Sequence, residues 1–238
     1  MKFEIAIISL EDSPRRDYIK LIPDYYINAV NGLNYSLDAL QSKIKFHTGK
    51  EFITCRSVPF SDKWKIRLAI FLSHLKCLRV VNRTHHEINK LVIPPLLILE
   101  DDFKINYESP KDIPLPPLPD DWEILFLGGF FTDKKGHTEK PKKGWNYIDH
   151  SKIKFWTTSA YIIKDPVKLL KTIRDFGSLT TLDSYYNRWV FKKMKSYYLY
   201  PVVVEQNDLL ESSIKDRKYI LEQRKKQLRI PTSFFIGD

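Results

Sequence analysis

Residues 95 to 102 read PLLILEDD, an unbroken apolar run that stops on Glu100, Asp101 and Asp102. A short apolar run bounded by a proline and charged residues reads as a strand buried on both faces, the pattern of a central strand in a parallel sheet. Three successive acids at its end repel one another, and solvent, basic neighbours or a cation must relieve that repulsion.

The flanking sequence repeats the theme. Upstream, Phe3 to Leu10 is apolar on both faces and leads into the polar turn Glu11-Asp12-Ser13-Pro14-Arg15-Arg16. Downstream, Trp122 to Leu127 ends on Gly128-Gly129. Between the first two strands, Leu68, Phe71, Leu75 and Leu78 recur at spacings of three and four, which predicts a helix from about Asp62 to Val81 capped by Ser61 or Asp62. Alternating strands and helices imply an α/β fold with a mostly parallel central sheet flanked by helices. Ligands of such sheets bind beyond the carboxyl ends of the strands, where the three acids and the glycine pair are expected.

Further along, five prolines from Pro110 to Pro119 exclude regular helix and predict an extended surface connector. Lys134 to Gly144 is a basic loop without apolar periodicity, and residues 215 to 238 form a tail whose first part is strongly basic. Asp165-Pro166 opens a helix that Gly177 closes. Thr181 is placed to cap a second helix, from Leu182 to about Met194, and Tyr197 to Val204 reads as a late strand running into Glu205 and Gln206.

With 238 residues and 43% hydrophobic content, the chain can bury a sizeable core, and one domain spanning 1 to 238 is expected. Cys55 and Cys77 are too few for a disulfide scaffold, so a cytoplasmic setting with reduced thiols is expected. The net charge of +10 suits an anionic partner without choosing among nucleotide, nucleic acid, phospholipid surface and acidic glycan, and it equally suits a Lys-rich surface that only solubilises the protein.

In a strand-end turn, Glu100 and Asp102 are two residues apart and project to the same side, so both can reach one Mn²⁺ or Mg²⁺ while leaving positions for phosphate oxygens. The alternative is that these acids cap a turn or pair with surface lysines. The motifs ISLEDSPRR, FLSHLKCL, LLILEDDFKI, PDDWEILFLGG, TTSAYIIK, LDSYYN and VVVEQNDLLESSI, in this order and spacing, span most of the chain. Together they resemble glycosyltransferase family 25, the lipooligosaccharide β-galactosyltransferases and the related procollagen galactosyltransferases. One departure is KIRLAIFLSH, which lacks the glycine-rich run the family carries ahead of its Ser-His pair.

The resemblance implies a GT-A-like fold and an inverting, UDP-sugar-dependent hexosyltransferase. The expected mechanism has the ion on Asp102, with Glu100 or Asp101 assisting. Ser9, Leu10, Arg15, Arg16, Ser73, His74, Gly128, Gly129 and Gln206 are expected around the nucleotide. Arg15 and Arg16 also read as a solvated helix start, and His74 as a core histidine. Asp183 is the candidate general base, with a substrate-orienting role or a plain helix-start residue as alternatives. Its position at a helix N-terminus would lower its basicity, and burial among Tyr185, Tyr186 and Trp189 would raise it. The implied partners are the nucleotide-sugar, a glycan, lipid-linked glycan or protein acceptor, and an anionic membrane at the periphery, but no nucleic acid. The rival readings are a nucleotidyl- or phosphotransferase, and a catalytically dead anion-binding relative.

Overall fold

The computed structural model describes residues 2–49, 62–88, 92–105, 107–133, 141–175 and 181–206. Cys55, Ser61, Gly177, most of the basic loop and the whole basic tail lie outside the described residues.

The strands are β1 (Glu4–Ser9), β2 (Tyr25–Asn28), β3 (Leu96–Glu100), β4 (Phe103–Ile105), β5 (Ile124–Phe126), β6 (Phe130–Asp133), β7 (Gly144–Tyr147), β8 (Ile153–Trp156), β9 (Ala160–Ile163), β10 (Ser196–Tyr200) and β11 (Val204–Gln206). The helices are α1 (Leu37–Thr48), α2 (Asp62–Glu87), α3 (Pro166–Asp175), α4 (Leu182–Tyr185) and α5 (Phe191–Lys193). A π-helical turn, Tyr186–Val190, joins α4 to α5.

Seven strands form one sheet in the order β2-β1-β3-β9-β5-β10-β7. Strands β1, β2, β3, β5 and β10 run one way, whereas β9 and β7 run against them. The sheet is therefore mixed, although mostly parallel in strand direction, with an antiparallel strand inserted between β3 and β5. Two pairs, β4 with β11 and β6 with β8, lie outside it.

Burial on both faces explains the apolar runs. Ala6 and Ile8 of β1, Leu96 and Ile98 of β3, and Tyr161 and Ile163 of β9 join the helices in one core. The alternate residues Ile5, Ile7, Leu97, Leu99, Ala160 and Ile162 pack into a second core on the opposite face. The proline-rich connector covers that second face, burying Ile113 and packing Leu115 and Leu118 against it. Its prolines admit one short 3₁₀ turn, Pro110–Asp112, and otherwise leave it extended. It is thus a cover for the core where the sequence predicts a surface connector.

Helix α2 runs six residues beyond Val81, because His85 continues the buried stripe of Leu78 and Val81. Asp165 caps α3 by accepting a hydrogen bond from the Lys168 amide at 2.9 Å. The predicted late strand divides at Pro201 into β10 and β11. No helix among the described residues is long and apolar enough to cross a membrane.

Candidate active site

The topology gathers the carboxyl end of β3, the carboxyl end of β1 and the amino end of β9 at one edge of the sheet. Ile8 pairs with Glu100, the Glu100 amide donates to the Ser159 carbonyl, and the Asp101 amide donates to the Ile8 carbonyl. Most of the chemistry-bearing residues meet here.

The three acids part ways at the turn. Asp101 accepts hydrogen bonds from Ser9 Oγ at 2.8 Å, Ser13 Oγ at 3.0 Å and Arg15 at 3.0 Å, so the framework saturates it. That leaves Asp101 poorly placed for the assisting role expected of it. Asp102 is buried, with Arg15 at 4.0 Å from its carboxylate. Glu100 turns toward α2, where His74 lies 3.2 Å away.

His74 is 2% exposed and bonded on both ring nitrogens, to Tyr161 at 2.7 Å and to Glu100. Burial raises the Tyr161 hydroxyl well above its ordinary range, which keeps its proton in place. One directed chain satisfies every group: Tyr186 donates to Tyr161, Tyr161 to His74 Nδ1, and His74 Nε2–H to Glu100. His74 is thus a buried, hydrogen-bonded histidine whose far edge orients a carboxylate of the acidic turn.

Asp183 sits in the first turn of α4. Its side chain is enclosed by protein yet keeps some contact with solvent. Its carboxyl is pushed up to about 6, chiefly by burial and then by the negative charge of Glu100. A 3.1 Å bond from the Thr158 hydroxyl, His74 and the Thr158 backbone amide oppose the shift. Burial, one of the two effects expected from the sequence, outweighs these opposing contacts. Thr158 is held by an unusual neighbour, since Thr157 has φ of 74°, a left-handed conformation that a β-branched residue rarely adopts. Asn187 ties the same turn to β8 by donating to the Asp183 and Phe155 carbonyls. Thr158 and Tyr161 have no singled-out role in the sequence reading, and TTSAYIIK is the only signal that points to them.

The remaining candidates divide. Ser9 is buried and engaged with Asp101. Arg16 bonds the Ser9 hydroxyl and carbonyl and Asn28 Oδ1, and it stacks over Tyr26 at 4.9 Å. Arg15 is partly exposed beside Asp101. Ser73 donates to the Ala69 carbonyl and accepts from the Val30 amide at 2.9 Å, so it anchors the segment after β2. Leu10 lines a cavity of about 610 Å³ with Asn31, Asn34, Tyr35, Lys43 and Lys76.

Gly128 and Gly129 serve chain crossings. A Cβ on Gly128 would lie 2.3 Å from the Val204 carbonyl oxygen, and one on Gly129 would lie 2.7 Å from Phe155. Both are required by β11 and β8 passing close to the backbone. Gln206 faces Phe103 in the β4–β11 pair, one position beyond Asp102.

Among the described residues, no three His, Cys, Asp or Glu side chains are grouped to hold a metal ion. A smaller donor set, Glu100 and Asp102, supplies hard carboxylate oxygens of the kind Mg²⁺ and Mn²⁺ take when phosphates and water complete the shell. No family model and no curated protein matches the chain.

Proposed function

We propose that the chain is a divalent-metal-dependent glycosyltransferase of GT-A type, moving a hexose, galactose before glucose, from a UDP-sugar to a hydroxyl on a glycan, lipid-linked glycan or protein. The observation that carries this reading is Asp183, a carboxylate of raised basicity beside the acidic end of β3. A general base is most effective when its pKa lies near the working pH, and about 6 is far better suited than an ordinary aspartate.

Asp183 takes the proton of the acceptor hydroxyl as its oxygen attacks the sugar C1. The bond from C1 to the phosphate oxygen breaks, and its electron pair leaves with the nucleoside diphosphate. One displacement inverts the anomeric centre, as the family resemblance implies. Asp102 and Glu100 would hold Mn²⁺ or Mg²⁺, whose contribution there is to neutralise charge on the diphosphate. His74 fixes the orientation of Glu100, and Thr158 that of Asp183. The cavity beside Leu10, lined by Tyr35, Lys43 and Lys76 as well as by Glu11 and Asp12, has the size and mixed polarity for a nucleoside.

Incubation with a panel of UDP-sugars and Mn²⁺, with and without simple glycan acceptors, tests the reading by following UDP release. Release from one sugar and its loss with EDTA are expected. Pyrophosphate release from a nucleoside triphosphate, with no UDP from any sugar, would replace this reading with nucleotidyl transfer.

A further inference from the structure

Away from the acidic turn, α2 and α3 enclose a cleft of about 390 Å³ whose lining is dominated by cationic and imidazole groups. Arg79, Arg83 and His86 project from α2 at spacings of four and three, which places them on one helical face. Arg174, in the last turn of α3, faces them, and Leu170 forms an apolar floor. Asn82 adds an amide. The single carboxylate in the lining, Glu87, is engaged by Arg83 Nε at 2.7 Å. Arg79 donates to His47 Nδ1, which ties its guanidinium to α1. Arg174 has no ion pair among the described residues.

Arg83 and Arg174 are exposed on this concave surface and Arg79 borders it, so the surface is cationic, and the proposed transfer does not use it. Guanidinium forks match the oxygens of a tetrahedral oxyanion bidentately. We propose that this cleft is a second anion site, which takes a phosphate or diphosphate group of a soluble compound or a lipid headgroup. The site is separate from the acidic turn and would stand even if the proposed transferase activity failed.

The test uses the full-length protein in EDTA, so that metal-assisted binding elsewhere does not contribute. Inorganic pyrophosphate is titrated by calorimetry, and flotation is measured with phosphatidylcholine vesicles with and without phosphatidic acid. The Arg83→Ala/Arg174→Ala variant is expected to bind the recognised probe about tenfold more weakly. A charge-matched Lys152→Ala/Lys154→Ala variant and Arg15→Ala are expected to retain wild-type affinity. Pyrophosphate binding without flotation assigns a soluble source, and flotation on phosphatidic acid assigns a lipid one. Equal weakening in the Lys152/Lys154 variant would reduce the effect to net charge and overturn the site. So would loss confined to Arg15→Ala, or failure of the wild-type protein to bind either probe.

Discussion

Helix α2 builds a histidine, glutamate and tyrosine cluster at each end of the sheet, and the two clusters differ in what lies beside them. At the carboxyl end, His74 joins Glu100 and Tyr161. At the amino end, His85 joins Glu4 at 2.7 Å and Tyr25 at 3.2 Å, and Tyr25 also donates to Glu4 at 2.9 Å. The histidines are 11 residues apart, about three helical turns, so one face of α2 carries both. Each is almost fully buried. The polar triad is thus a way of bolting a long helix to a sheet, and it confers no chemistry by itself. Chemistry enters at one end because Glu100 also presses its charge on Asp183 and belongs to an acidic turn, whereas Glu4 begins a strand.

The largest effects separate the ends most sharply. Asp183→Asn is expected to leave donor binding intact and to lower transfer by roughly 10² or more, the usual size of a lost general base. Equal loss of donor affinity, measured by calorimetry, would demote Asp183 to substrate positioning. Asp102→Ala is expected to remove the Mn²⁺ dependence of UDP binding while the circular dichroism spectrum stays native. Metal-dependent affinity that survives in the folded variant would end the metal assignment.

Next come the two histidines themselves. His74→Gln should lower transfer by about tenfold to a hundredfold, the range for a residue that orients a ligating group. His85→Gln should leave transfer per folded molecule unchanged and destabilise by about 1 to 3 kcal/mol through unmet bonds to Glu4 and Tyr25. Equal activity losses would mean that the clusters are not distinct, and α2 would then transmit strain along its length.

A pH profile probes the same contrast more gently. Asp183 must be ionised to act, so transfer should climb with pH and level off, with a midpoint that burial raises and that a cation on Glu100 brings below the metal-free value of about 6. Stability moves the other way. The folded carboxyl holds its proton from 3.8 up to about 6, so the native state binds more protons in that window and loses stability as pH rises through it. Asp183→Asn lacks this liability and should be more stable than wild type at pH 7 by on the order of 2 kcal/mol. Its advantage should vanish below pH 4.

Much of the frame was legible in the sequence because burial writes a pattern. PLLILEDD, the Leu68 to Leu78 stripe and the Asp165-Pro166 cap are local signals, and each element forms where that signal lies. Helix α1 carried similar signals, Ser36 as cap and Leu40, Ile44 and Thr48 at spacings of four, yet its weak amphipathy is diluted by lysines. The direction of β9 was not legible, since a buried strand has the same composition whichever way it runs. For the site, the acids were visible as residues but their partners were not. Asp101 looked no different from Asp102 until Ser9, Ser13 and Arg15, some 90 residues away, closed on it. Likewise, periodicity does not distinguish His74 from His85, since both lie on the buried stripe of α2; only the motif FLSHLKCL set His74 apart, and the physical difference lies in the distant Asp183.

The smallest expected effect concerns Thr157, which belongs to the active end and has no counterpart at the other. Its φ of 74° brings its Cβ close to neighbouring backbone, and holding a β-branched residue there costs about 1 to 2 kcal/mol. The strain is maintained because the next residue, Thr158, is buried and bonded to Asp183. Thr157→Gly removes the Cβ clash, but it frees the unfolded chain by about 0.5 to 1 kcal/mol. The two nearly offset, so the melting temperature should rise by no more than a few degrees. Transfer should nevertheless fall a few-fold, because a glycine lets Thr158 drift and Asp183 lose its orienting bond. If melting rises and the transfer rate is untouched, the left-handed turn is a by-product of chain crossing between β8 and β9. If transfer falls while donor affinity holds, the strain is what aims Asp183 at the acceptor.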